Sequence, residues 1–302
     1  MRGFKADGIH TALVTAFAAD GSLDVEALAG SVRFQIAAGV QGVCALGGTG
    51  EPLALTSDET RRVIDTVVAA ADGRVAVVVG CLAASQSEII AAGRHAKAAG
   101  ADAVMVLPPF FVVATPRHIA WHLGEVAAAV DLPLVLFNSP SRAGLGLEVD
   151  FVLELVDAVP RFVAIKEASG DMVAVTELAR RAPEGFSVLQ GLDELILPTL
   201  AVGGAGAMIS GSCLTPRLHV ALAAAFQAGD MARARGLQQA LMPLCQALYR
   251  EPNPVPLKRA LAMAGRGAGP TRPPLGEVED ETMAQLQAAL ADLGPWLDAD
   301  TE

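Results

Sequence analysis

The chain has 302 residues, 52% of them apolar and 18% charged, with 22 Lys and Arg against 33 Asp and Glu for a formal charge of −11. That length suits two ordinary domains or one large α/β barrel, and the apolar content excludes a disordered chain. The acidic balance argues against nucleic acid or an anionic membrane as partner, while small anions stay open through a few local cations.

Eight β-branched, continuously apolar runs follow one another along the sequence: Ile9–Thr15, Val40–Ala45, Val75–Gly80, Ala103–Leu107, Leu134–Asn138, Phe162–Lys166, Ser187–Gln190 and Ala207–Ser210. Such runs, without polar alternation, are the signature of parallel strands covered on both faces. Ala- and Leu-rich helical stretches separate them. Ser85-Gln86-Ser87-Glu88 fits a capping box, and Thr115-Pro116 and Thr215-Pro216 place proline just inside helix starts. Gly39, Gly73 and Gly100 fall where helices need a left-handed end. Leu195–Pro216 carries no charge and is long enough to cross a bilayer. Its Pro198, Gly203, Gly204, Gly206 and Gly211 read instead as a buried helix, turn and strand. Eight strand–helix units predict a (β/α)8 TIM barrel, with a doubly wound sheet as the alternative. After about Ala228 the strands stop. Met231–Tyr249, Val255–Ala264 and Glu281–Leu293 read as helices and Gly265–Gly276 as a loop, giving a barrel over 1–228 and a C-terminal helical domain over 229–302.

Cys44, Cys81, Cys213 and Cys245 are dispersed and form no C-x-x-C pair, so no zinc ribbon or disulfide scaffold is expected. With no apolar leader in the first residues, the expectation is a cytoplasmic protein. His118 and His122 stand four apart on a predicted helix but lack the H-E-x-x-H pattern, His10, His95 and His219 form no evident cluster, and neither a metal nor a cofactor is expected.

Barrel chemistry sits at the C-terminal strand ends. Among four lysines, only Lys166 closes an apolar strand, in Val163-Ala164-Ile165-Lys166. Burial there disfavours the ammonium, and a neutral amine is what Schiff-base chemistry requires. A lysine paired with Glu167 is the alternative, although neighbours on a strand point to opposite sides. Gly47-Gly48-Thr49-Gly50-Glu51 offers backbone amides to an anion without being a P-loop. Arg142, in a Ser-Pro-Ser-Arg turn, is placed either to grip a carboxylate or to lie solvated.

Four ordered motifs, Gly47–Glu51, Phe137-Asn138-Ser139-Pro140-Ser141-Arg142, Ile165-Lys166-Glu167-Ala168-Ser169-Gly170 and Glu251-Pro252-Asn253-Pro254, resemble the dihydrodipicolinate synthase / N-acetylneuraminate lyase family from Thr15 to about Ala264. The resemblance implies a barrel with a helical C-terminal part and a homotetramer built as a dimer of dimers. It implies that Lys166 forms a Schiff base with pyruvate or another 2-oxo acid. It places Gly48, Thr49, Arg142, Phe137 and Ile209 around the substrate.

The departures are equally specific. Family members carry hydroxyls, a proton relay, where this chain has Gly48, Phe137 and Phe111, the last matching a tyrosine that reaches across the dimer interface. Tyr249, the single tyrosine, precedes the Glu251–Pro254 segment in the helical tail and is read as unable to replace them. Three functions remain: a Schiff-base lyase or aldolase of altered specificity, a 2-oxo-acid binding protein with little turnover, and a genuine dihydrodipicolinate synthase. Where inhibited relatives bind free lysine this chain has Ser57, Thr60, Ala84 and Phe110, with only Glu88 charged, so no such inhibition is expected.

Overall fold

The computed structural model describes residues 4–294 and 296. In chain order these form β1 (Gly8–Ala12), α1 (Val25–Ala38), β2 (Gly42–Ala45), α2 (Ser57–Ala71), β3 (Ala76–Gly80), α3 (Gln86–Ala99), β4 (Ala103–Val106), α4 (Pro116–Ala129), β5 (Leu134–Asn138), α5 (Pro140–Ala143), α6 (Val149–Ala158), β6 (Phe162–Glu167), α7 (Met172–Arg181), β7 (Ser187–Gln190), α8 (Ile196–Ala201), β8 (Gly206–Ile209), α9 (Pro216–Gln227), α10 (Met231–Leu248), α11 (Val255–Met263) and α12 (Asp280–Asp292). Each strand lies parallel to the next, and β8 pairs with β1 to close a barrel. The fold is a (β/α)8 barrel followed by a helical C-terminal part. No helix among the described residues is long and apolar enough to cross a membrane. The uncharged run 195–216 becomes α8, a turn and β8.

The strands sort their side chains with period two. Cys44, Val78, Met105, Val135, Phe137, Ala164, Leu189 and Met208 form the barrel's inner cluster. Their neighbours Val43, Val79, Val104, Leu136, Ile165, Val188 and Ile209 join the larger core shared with the helices. Lys166, two residues past Ala164, therefore falls on the inner side. The register puts Phe137, Lys166 and Leu189 in one row across β5, β6 and β7. Closure between β8 and β1 needs glycine at 206, because any side chain there would overlap the Gly8 carbonyl.

Several ends differ from the sequence reading. The expected strand at Val40–Ala45 starts at Gly42, because Val40 N–H still donates to the Gln35 carbonyl in the turn that ends α1. The strand expected through Thr15 stops at Ala12, and the Thr15 hydroxyl instead donates to the Gly50 carbonyl at 2.6 Å. Gly39 and Gly100 take the left-handed end as expected, whereas α2 ends on Asp72, one residue before Gly73. Ser85 makes no capping bond, since its hydroxyl pairs with Ser87 at 2.6 Å. The capping box lies at Thr56 and Glu59.

The expected change near residue 228 falls in the turn between α9 and α10. Beyond it, the 265–276 segment is tied to the barrel mouth. The Arg272 guanidinium donates to both Glu59 carboxylate oxygens (2.6 and 2.9 Å) and to the carbonyls of Gly21 and Ala54, while Arg272 N–H donates to Glu51 at 2.8 Å. The guanidinium holds the Glu59 carboxyl at about 2, well below its ordinary value.

Candidate active site

The mouth is built from the ends of β2, β5, β6, β7 and β8 together with the turn after α10. Lys166 is only 6% exposed, and its Nζ lies 4.6 Å from the Phe137 ring centroid. No ion pair or hydrogen bond joins it to another group among the described residues. Burial pushes its pKa below the ordinary lysine value. The Arg142 charge pushes the same way, against Cys44 and Asp193. Such an amine is neutral and nucleophilic at a lower pH than a solvated lysine. Glu167 points away, accepting from Asn138 Nδ2 and Ser169 N–H, both at 2.7 Å, so the Lys166–Glu167 pair does not form.

Lys166 opens into a cavity of about 490 Å³ whose wall includes Gly48, Thr49, Phe137, Arg142, Ser210 and Tyr249. Gly48 and Thr49 begin a single 3-10 turn after β2, where the first amides have no partner within the turn. Thr49 Oγ1 accepts from Asn253 Nδ2 at 2.9 Å, and Arg142 donates to the Asn253 carbonyl at 3.1 Å. The Glu-Pro-Asn-Pro segment thus reaches the mouth from the tail and sets both groups. Gly48, Phe137, Arg142 and Asn253 also border a second cavity of about 240 Å³ lined by Leu53, Leu82, Leu107, Phe110 and Leu275.

Of the expected site residues, Lys166, Gly48, Thr49, Arg142 and Phe137 are brought together around this cavity. Ile209 is fully buried on the outer side of β8, with its carbonyl accepting from Ser212 at 3.0 Å, and the wall beside it is Ser210. Phe111 is fully exposed on the loop after β4 with a positive φ of 69°, away from its own chain's cavity.

One expectation is overturned. Tyr249 reaches the cavity, because α10 runs back to the barrel mouth and delivers its last turn beside Ser210. The His219 Nε2 lies 3.1 Å from Asp193 Oδ1, both side chains fully buried, a pairing the sequence reading did not name. Tyr249 stands two residues before Glu251, so its nearness to the Glu251–Pro254 motif was the signal available for it.

A nucleophilic amine beneath amides, a guanidinium and hydroxyls is equipped to bind a carboxylate and attack an adjacent carbonyl. The model of the dihydrodipicolinate synthetase family matches residues 5–293. The chain belongs to this family. A 4-hydroxy-tetrahydrodipicolinate synthase of Methanopyrus kandleri is 38% identical over 293 residues, covering 97% of this chain and 98% of that one. The solved structure of the 4-hydroxy-tetrahydrodipicolinate synthase from Methylacidiphilum fumariolicum SolV superposes with a TM-score of 0.94 at 33% identity, over 98% of both chains. YagE, a prophage protein of the family from E. coli K12 solved in complex with pyruvate, gives a TM-score of 0.91 at 28% identity, over 96% of this chain and 99% of that one. As a member of the family the protein is a carbon–carbon lyase of the dihydrodipicolinate synthase type.

Proposed function

We propose that the protein joins or cleaves a 2-oxo acid, pyruvate first among them, through a Schiff base on Lys166, with an acceptor other than that of the synthases. The observation that carries this reading is a buried lysine with no bonded partner, at the floor of a cavity lined by Gly48, Thr49 and Arg142. The neutral amine attacks the C2 carbonyl, and loss of water leaves an iminium that makes the neighbouring carbon acidic. Amides of Gly48 and Thr49 hold the carboxylate, and Phe137 packs beside the amine. The barrel, 1–228, supplies the lysine, while the helical part, 229–302, supplies Asn253 and Tyr249.

Altered specificity rests on the hydroxyls lost at Gly48, Phe111 and Phe137, and on the apolar second cavity that shares Gly48, Phe137 and Arg142 with the first. That cavity suits an acceptor with an apolar body. We also propose a dimer of dimers in which the exposed Phe111, Val112 and Val113 loop meets another copy, since three neighbouring apolar side chains left in water mark a contact surface.

Borohydride reduction with pyruvate should add one adduct per chain on the Lys166 peptide, read by intact mass. If no 2-oxo acid in a panel labels Lys166, the reading falls. A genuine synthase is the second reading, favoured by the names of the relatives and by Arg142. A coupled assay with aspartate semialdehyde separates the two. Altered specificity predicts a rate at least about 100-fold below an ordinary synthase, raised by combining Gly48→Thr, Phe111→Tyr and Phe137→Tyr. A side chain at Gly48 finds its nearest neighbour, the Arg142 guanidinium, at 3.7 Å, so the site admits one.

A further inference from the structure

The Lys166 cavity lacks the expected hydroxyls at Gly48, Phe111 and Phe137, yet Thr49, Ser139, Ser141, Ser210 and Tyr249 line it, and of these Ser210 and Tyr249 lead on to a buried Asp–His pair. Ser210 Oγ and the Tyr249 hydroxyl are 2.8 Å apart, and Tyr249 donates to Asp193 Oδ2 at 2.8 Å. With its one proton committed to the carboxylate, the phenol accepts from Ser210, which leaves serine lone pairs for a ligand. Burial pushes the Tyr249 pKa well above its ordinary value, and the charges of Asp193 and Glu194 act the same way. The phenol therefore passes a proton only by giving one as it takes one.

The far end of this chain holds a proton to give. Asp193 Oδ1 accepts from Gly211 N–H at 3.0 Å and lies 3.1 Å from His219 Nε2. His219 Nδ1 is 2.7 Å from the Thr215 carbonyl, which can only accept, and 3.4 Å from the Thr215 hydroxyl, so the shorter contact assigns the proton to Nδ1. A hydrogen bond between Nε2 and Asp193 then requires one more proton, on the ring or on the carboxyl. Asp193 is also close enough to act on Lys166 through its charge.

We propose that Ser210, Tyr249 and the Asp193–His219 pair form the proton path of the Lys166 site, serving the C2 oxygen of the bound 2-oxo acid. This rests on the Schiff-base reading. Attack by the neutral amine and transfer of its proton to the carbonyl oxygen give a carbinolamine. The nitrogen lone pair then forms C=N as the C2–O bond breaks. For this step the two hydroxyls turn round: the hydroxyl leaves as water with a proton from Ser210, which is refilled from Tyr249 as the phenol stops donating to Asp193 and takes up the proton carried by the Asp193–His219 pair. Amine, carbonyl and one stored proton become iminium and water, and hydrolysis returns the proton by the same path. Ser210 is the catalytic residue, and Tyr249 and Asp193 act through it.

The test compares the rate of adduct formation with pyruvate, by timed borohydride quench and intact mass, in wild type, Tyr249→Phe and Ser210→Ala. Each variant should form the adduct about 100-fold more slowly and reach the same final occupancy. Small buffer acids such as imidazolium should restore the variants in proportion to their concentration and leave wild type unchanged, a response that a merely structural role does not produce. Variants that label at the wild-type rate, or slow variants that no buffer acid rescues, overturn the path. Absence of any adduct in wild type removes the Schiff-base reading itself, and the path with it. Should Tyr249→Phe fail to fold, Ser210→Ala carries the same comparison, since it keeps the Tyr249–Asp193 bond.

Discussion

Lys166 and Lys258 are both buried, at 6% and 3% exposure, and each sits against an aromatic ring, Phe137 at 4.6 Å and Phe17 at 4.3 Å. Burial lowers the pKa of both. They differ in their partners. Lys258 Nζ meets Glu51 at 2.7 Å and donates to the Pro270 carbonyl at 2.8 Å, beside the Arg272 clasp. Lys166 meets no carboxylate at bonding distance. The same chemical group is thus fastened in one place and left without an ion-pair partner among the described residues in the other. What separates them is whether a buried acid lies within bonding distance, because an unpaired ammonium out of water is costly and a paired one is held as an ion.

The largest contrast is chemical. Lys166→Met should abolish borohydride adducts entirely, while folded Lys258→Met should still be labelled, at Lys166 alone; an adduct mapped to Lys258 would erase the distinction. Stability should reverse the order. Lys258→Met strands the Glu51 carboxylate and should cost about 3–5 kcal/mol in urea unfolding. A loss below 1 kcal/mol would show that the pair is not what fastens the tail.

Lys166→Met removes a desolvated amine and should stabilise the fold at neutral pH by about 1–3 kcal/mol. The sign follows from linkage. With the folded pKa below the unfolded value near 10.4, the unfolded chain binds more protons between the two. The cost is fully present below the folded pKa and vanishes as pH rises past the unfolded one. The gain should therefore shrink toward pH 10.4, and a pH-independent gain would assign it to packing. Adduct formation should fall as pH drops through the lowered Lys166 pKa. The smallest effect concerns the ammonium groups of free lysine. A cavity of about 380 Å³ includes Ser57, Thr60, Ala84 and Glu88 in its lining. Arg61 and His95 also line it, but among the described residues Glu88 is its one carboxylate and cannot satisfy both ammonium groups, so calorimetry should show no saturable binding.

Much of this was legible in the sequence because it is local. Continuous apolar runs predict parallel strands, and the strand period alone puts Ala164 and Lys166 on one side with Ile165 and Glu167 on the other. Contacts between distant segments were not legible. Nothing near Arg272 announces Glu59, and Ser85 matches a capping pattern as well as Thr56 does, although only Thr56 forms the box. Tyr249 was misplaced for the same reason: a helix pattern gives its length, not the point on the barrel where its last turn lands. Whether Lys166 had a partner depended on where Asn138 and Ser169 drew the Glu167 carboxylate.

The reach of the tail into the mouth sets an order on biosynthesis. A chain released only as far as β8 and α9 has every strand of its barrel and already carries Lys166, Gly48 and Ser210. It still lacks the phenol at 249, the amide that holds Thr49 and the guanidinium that gathers Glu59 and the carbonyls of Gly21 and Ala54. Until those segments emerge, Lys166 is present on the ribosome without the neighbours that complete its cavity. The segment after α9 completes the cavity, so the strands alone enclose Lys166 in an unfinished site.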